Sequence, residues 1–161
     1  MSFDLRLFNG DIKVTNGVLE KVSGTEKLVQ DLVRAFLTPK GSSKFYPEIG
    51  TLVGDVIGRN YPDDVTMVKI EDSFKDALRF LINKQEKQLV VQNLDSGERI
   101  LQILSVRAER PSSDPRQINV FVAIVTDSGD VIERSFKIAQ DASVFVAKSN
   151  SSTFSTEGGF V

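Results

Sequence analysis

Between Val29 and Gly58, proline and glycine punctuate the chain at positions where a backbone has to change direction. A helix-like run ends in Leu37-Thr38-Pro39-Lys40-Gly41. A short spacer leads to Tyr46-Pro47-Glu48-Ile49-Gly50-Thr51-Leu52, and Val53 to Gly58 follows as a brief apolar turn. Pro39 has no backbone N–H and disfavours the α conformation at Thr38, so the preceding helix has to stop there. Gly41 and Gly50 open the left-handed backbone region, which residues with a Cβ enter only at a cost. None of these side chains is a catalyst. The segment reads as one that holds a shape. The plainer alternative is an ordinary helix end followed by a loop, since Gly and Pro are the commonest turn residues.

The flanking sequence supplies elements for this segment to join. Asp4-Leu5-Arg6-Leu7 and Asp11-Ile12-Lys13-Val14 alternate apolar and polar, as half-buried strands do. Asn9-Gly10 and Asn16-Gly17 are hairpin turn dipeptides, so the N-terminus reads as a small antiparallel meander ending near Val22. Ser23-Gly24-Thr25-Glu26 has the pattern of a capping box. The helix it opens carries Leu28, Val29, Leu32, Val33 and Phe36 on one wide face. A second helix starts at Pro62-Asp63-Asp64, with its acids at the positive end of the dipole. Its stripe of Met67, Ile70, Phe74, Leu78 and Leu81 favours core packing over a groove for a partner helix. The pattern runs to about Gln85, and an extension towards Gln92 is weakened by the polar stretch Asn83 to Gln88. After Asp95-Ser96-Gly97 come three β-like runs, Arg99 to Glu109, Gln117 to Thr126 and Val131 to Ile138. The second is apolar on both faces and belongs in the middle of a sheet or under cover on both sides. The third alternates and suits an edge. The fold class is therefore α+β: an N-terminal β-meander, two main helices plus a short one, and a C-terminal antiparallel sheet. The expected core includes Leu28, Leu32, Phe36, Phe74, Leu78, Ile103, Val120, Val122 and Phe136. Residues 1–138 form a single domain. Residues 139–161 are a C-terminal extension, in which Val144-Phe145-Val146 has strand propensity. Ser149 to Gly159 is rich in Ser, Thr and Gly and is either disordered or ordered against a partner.

Composition removes several function classes. Among 161 residues there is no cysteine and no histidine, which excludes disulfides, Cys/His zinc sites and any Ser-His-Asp or Cys-His catalytic set. No phosphate loop ending in Lys-Ser or Lys-Thr is present, and the two glycines of Gly54-Asp55-Val56-Ile57-Gly58 lack dinucleotide-binding spacing. No cofactor is expected. A net charge of −2 gives no electrostatic case for nucleic acid, and no apolar run approaches a membrane span. The N-terminal residues lack the regions of a signal peptide, so synthesis in a cytoplasm is expected. What remains for catalysis is carboxylate chemistry, and most of the acids, such as Glu71-Asp72 and Glu86-Lys87, sit in mixed-charge stretches that read as solvated helix faces.

The order of these elements carries a resemblance. Gln30, Leu37-Thr38-Pro39-Lys40-Gly41, Pro47 with Gly50-Thr51-Leu52, and Glu98-Arg99-Ile100 occur in the sequence and spacing of the W/gene-25-like baseplate wedge family of contractile phage tails and related injection machines. The chain resembles that family over roughly residues 3 to 138. Where many members carry Glu-Pro-Arg, this chain reads Gly97-Glu98-Arg99, with Arg99 and Ile100 matching best. The resemblance implies a non-enzymatic virion component in the tail baseplate, bound to other wedge proteins and the tail sheath protein, with tube or hub proteins as further neighbours. It implies that the chain initiates sheath assembly by strand pairing. The partner-binding residues it points to are Glu98, Arg99 and Ile100, with Thr38, Pro39, Gly41, Pro47 and Gly50. The edge expected to receive the sheath strand is Val131 to Ile138, through Val131, Glu133, Ser135 and Lys137, with Val144-Phe145-Val146 as a further segment of it. Arg99 can hold a partner carboxylate through its planar fork, or bridge to Glu98 or another local acid. Two alternatives stand beside this reading: a peptidoglycan-cleaving glycan hydrolase of the baseplate, which needs two carboxylates flanking a cleft, and a small non-enzymatic regulatory adaptor with the same fold.

Overall fold

The computed structural model describes residues 2–9 and 11–146. The N-terminal meander is built from three short antiparallel pairs. β1 (Asp4–Leu5) pairs with β6 (Lys21–Val22), β2 (Leu7–Phe8) with β3 (Asp11–Ile12), and β4 (Val14–Thr15) with β5 (Val18–Leu19). Main-chain bonds from Arg6 to Glu20, Lys13 to Arg6 and Glu20 to Lys13 close the centre where the pairs meet. Asn16 and Gly17 both have positive φ, as a two-residue hairpin turn needs. The arm is held to the next helix by Gln30, which donates to Leu5 O and accepts from Leu7 N–H, each at 2.9 Å.

Helix α1 spans Gly24–Leu37 and buries Leu28, Val29, Leu32, Val33, Ala35 and Phe36, the stripe that its spacing predicts. The expected capping box does not form: Ser23 is extended but makes no side-chain cap bond. Glu26 is drawn instead to Arg6, and the Gly24 N–H is taken by a distant carboxylate described below. Helix α2 (Val53–Gly58) is short, and α3 (Asp63–Leu89) runs for 27 residues, through the polar stretch that weakened its reading. A 3-10 turn at Ser96–Glu98 leads into the sheet.

That sheet has the order β10-β9-β8-β7, all antiparallel: β7 (Ile100–Glu109), β8 (Ile118–Thr126), β9 (Val131–Ile138) and β10 (Val144–Val146). β8 is central, and Val120, Val122 and Ile124 face the helices. The middle of the core is aromatic. The Phe36 ring lies 4.7 Å from Phe74 and 4.9 Å from Phe136, tilted on the first and edge-on to the second. One expected core residue is displaced. Register shifts between Ile100 and Gln102 and between Ile103 and Ser105 break the alternation of β7, so Ile103 is half-buried. Ile100, Val106 and Ala108 fill the inner face instead. β9, expected to be an edge, is covered over part of its length. Phe136, Lys137 and Ile138 pair with Val146, Phe145 and Val144. The beginning of the 139–161 extension is therefore ordered within the chain, while Ser149 to Gly159 lies outside the described residues.

Candidate docking site

Three constructions arise from the residues that the sequence singled out. The first is the loop after α1. Helix α1 ends with Thr38, whose N–H and hydroxyl both donate to Arg34 O. Pro39 then lies in a parallel bridge with Thr51. Thr51 N–H donates to Thr38 O, Lys40 N–H to Thr51 O, and Gly41 N–H to Pro47 O, each at 2.9 Å. The loop is thus stapled to itself by main-chain bonds, and Leu52 N–H fixes it to α3 by donating to Ser73 Oγ at 2.6 Å. Gly50 makes the staple possible. Its φ is +114°, and a Cβ there would sit inside the Thr38 carbonyl oxygen and 2.9 Å from the Lys40 nitrogen. Gly50 is buried and shapes the loop from within, while Pro39, Gly41 and Pro47 are exposed and Thr38 is half-buried.

The second construction is a hub around Gly97-Glu98-Arg99-Ile100. Glu98 is 2% exposed. Its Oε1 accepts from the Gly24 N–H at 3.0 Å, capping α1 from 74 positions away. A carboxylate at this place meets both an orphan donor and the positive end of the helix dipole. Its Oε2 lies 3.7 Å from Lys27 Nζ. Gly97 allows the close approach: a Cβ there would meet Thr25 Oγ1 at 2.9 Å. Gln85 of α3 donates to Glu98 O at 2.7 Å and accepts from Ile100 N–H at 3.0 Å, so one amide covers the start of the β7 edge. At the other end Glu71 accepts from Ala108 N–H at 2.9 Å. Within the chain Glu98 and Ile100 are buried, Glu98 against the start of α1 and Ile100 in the core, so of the three residues Arg99 is the one whose side chain faces out. Arg99 forms an ion pair with Asp127 in the β8–β9 turn, so in the isolated chain the local acid holds it. Its side chain remains 39% exposed.

Beside the hub, Lys27 also approaches Asp31 Oδ2 at 3.6 Å. Burial pushes the Asp31 carboxyl above its usual range, against the pull of Lys27, Lys84 and Arg34. Gln85, Lys27 and Asp127 were not singled out from the sequence. Gln85 lay in the polar stretch read as weak helix, and nothing local to it signals a clamp.

The third construction is the free part of β9. Thr126 N–H donates to Asp130 O at 3.0 Å, and Gly129, with φ +90°, closes the turn. From that bonded pair the ladder continues to Ile118↔Ile138 without a shift. Alternation then directs the main-chain groups of Ile132, Arg134, Phe136 and Ile138 to β8, and those of Val131, Glu133, Ser135 and Lys137 outward. Lys137 already faces Phe145 of β10, so of the four expected edge residues it is not open. Among the described residues, no strand pairs with the outward main chain of Val131, Glu133 and Ser135.

These elements define an α+β domain with a stapled loop, a polar hub and a half-covered sheet edge. No protein-family model and no curated protein matches the chain. The chain is similar to the crystal structure of a candidate tail lysozyme from Geobacter sulfurreducens, with 15% identity and a TM-score of 0.48, over 78% of this chain and 93% of that one. Among the described residues, no group of three or more acidic side chains is placed to hold a metal ion, and no helix is long and apolar enough to cross a membrane.

Proposed function

We propose that this chain is a structural component of a contractile-tail baseplate wedge, without catalysis of its own. In this reading it docks on other wedge proteins through the Thr38–Leu52 loop and the Arg99 face, and starts sheath assembly by offering the outer edge of β9 to a sheath strand. The motif order from Gln30 to Ile100 suggests the family, and one observation carries the mechanism. β9 already accepts an added strand, β10, along Phe136–Ile138, while the outward main chain of Val131, Glu133 and Ser135 continues the same edge with no strand paired to it among the described residues. An unpaired row of N–H and C=O groups is the template that strand addition uses.

The test is a pair of prolines. Glu133→Pro and Ser135→Pro each remove an outward N–H and leave the donors to β8 in place. Glu133→Thr with Ser135→Thr is the matched control. Baseplates carrying both prolines are expected to bear tubes that are unsheathed or poorly anchored in negative-stain images, with the threonine variant normal. Normal sheaths on the double-proline baseplates would exclude this edge, and the contact would then lie on the Thr38-to-Gly58 loop face. The hydrolase alternative has less support. Glu98 and Asp31 share Lys27, but Glu98 is enclosed and its Oε1 caps α1. Clearing of peptidoglycan suspensions by the purified chain would favour the hydrolase. Failure to co-purify with any tail protein would favour the adaptor.

A further inference from the structure

We propose that the groove between the Thr38–Leu52 loop and the flank of α3 is a docking site for an acidic peptide segment of a partner protein, one that carries an aromatic or other flat apolar side chain. The groove encloses about 450 Å³, the scale of a site for a short segment rather than a single ion. Its α3 wall is a stripe at three- and four-residue spacing, turned away from the core face of Phe74, Leu78 and Leu81. Tyr46 of the loop and Phe80 of α3 give it an aromatic lining; Tyr46 is exposed and Phe80 half-buried.

Four cations line it: Lys40, Arg79, Lys84 and Lys87. Arg79 is held by Asp76 at 3.0 Å. Among the described residues no carboxylate comes within 4.0 Å of the ammonium groups of Lys40, Lys84 or Lys87, and Glu48 is the other acid of the groove. Among the described residues, three ammonium groups with no carboxylate within 4.0 Å thus line one cleft of a chain whose net charge is −2, and Lys84 is the one of them that also acts on Asp31. Like charges gathered in this way repel one another until an anionic partner enters, and complementary charge sets both encounter rate and register. Lys84 of the α3 wall also stands 5.7 Å from the centre of the Tyr46 ring on the loop wall, so a cation and a ring face each other across the groove. Asp76 and Glu48 disfavour a continuous phosphate backbone and suit a peptide, whose acids are spaced and whose N–H groups can meet carboxylates. Because the loop is stapled by its own main chain, little ordering is left for the moment of binding. This surface is separate from the β9 edge, and its occupancy does not depend on strand pairing there.

The experiment uses the full-length chain, labelled with nitrogen-15, and a synthetic capped hexapeptide of alternating Asp and Glu around one Trp. A matched peptide with Asn and Gln in place of the acids is the control. Saturable shifts are expected in the amides of Lys40, Tyr46 and Arg79 to Lys87, with none from the neutral peptide. Lys84→Glu with Lys87→Glu should weaken the acidic peptide by about tenfold or more, and the same spectra report whether the fold is intact. Lys69→Glu with Lys137→Glu, an equal change of charge elsewhere, should leave binding within about twofold. Shifts that fail to saturate at millimolar peptide, that map to another face, or that weaken equally in both charge reversals would overturn the proposal.

Discussion

Gly50→Ala isolates what the stapled loop contributes to stability. A Cβ at Gly50 collides with backbone, the Thr38 carbonyl and the Lys40 nitrogen, so no side chain can rotate aside to make room. The two segments have to separate, and the bonds joining them, Thr51 N–H to Thr38 O and Lys40 N–H to Thr51 O, are lost or stretched. Two main-chain hydrogen bonds at about 0.5–1.5 kcal/mol each and about 1–2 kcal/mol for a Cβ at positive φ give a loss of about 2–5 kcal/mol. That is a large share of the roughly 5–15 kcal/mol that holds a domain folded. Gly41 and Gly54 are internal references. At Gly41 φ is +86° but nothing lies within 4 Å of a Cβ, so Gly41→Ala should cost only the conformational part, about 1–2 kcal/mol. At Gly54, inside α2 and with open space around it, alanine should be neutral or stabilising by up to about 1 kcal/mol. Equilibrium urea unfolding measures all three. With a slope of about 2 kcal/mol per molar, the Gly50→Ala midpoint should fall by about 1–2.5 M, the Gly41→Ala midpoint by less, and the Gly54→Ala midpoint not at all. If Gly50→Ala loses no more than Gly41→Ala, the close backbone approach is not what this glycine protects.

Glu98→Ala should cost about 1–3 kcal/mol, because it leaves the Gly24 N–H at the start of α1 without its acceptor while Lys27 keeps Asp31, whereas Arg99→Ala should cost about 1 kcal/mol or less. Equal losses in thermal unfolding would remove Glu98 from its role as the cap of α1. Asp31 should show an inverted acid response. Burial raises its folded-state pKa, so the native chain binds that proton more tightly than the unfolded chain, and the contribution of Asp31 to stability falls as pH rises from the ordinary aspartate range through the raised value. Relative to wild type, Asp31→Asn should therefore gain stability across that window. Urea midpoints for both proteins between about pH 3 and 7 give the difference, and a gap that is constant or moves the other way would contradict the assignment.

What the sequence determined by itself is local. The stripe from Leu28 to Phe36, the stripe from Ile70 to Leu81, the stop at Thr38-Pro39 and the turn at Asn16-Gly17 follow from spacings of a few residues. Backbone sterics and the periods of helix and strand act at that range. Gly50 was legible as a residue needing unusual backbone, though not as the point where two segments touch. Tertiary structure decided the rest. Ser23 and Glu26 have the pattern of a cap, yet Glu98 caps α1, because folding brings a buried carboxylate to the helix end and draws Glu26 to Arg6. The bulges of β7 turn Ile103 partly out of the core it was expected to fill. β10 closes the Phe136–Ile138 end of the edge that β9 would otherwise present. Each outcome depends on which polar group or strand edge is left unsatisfied once the core has packed. That is set by contacts between residues far apart in the chain, and neither a short window nor a period contains it.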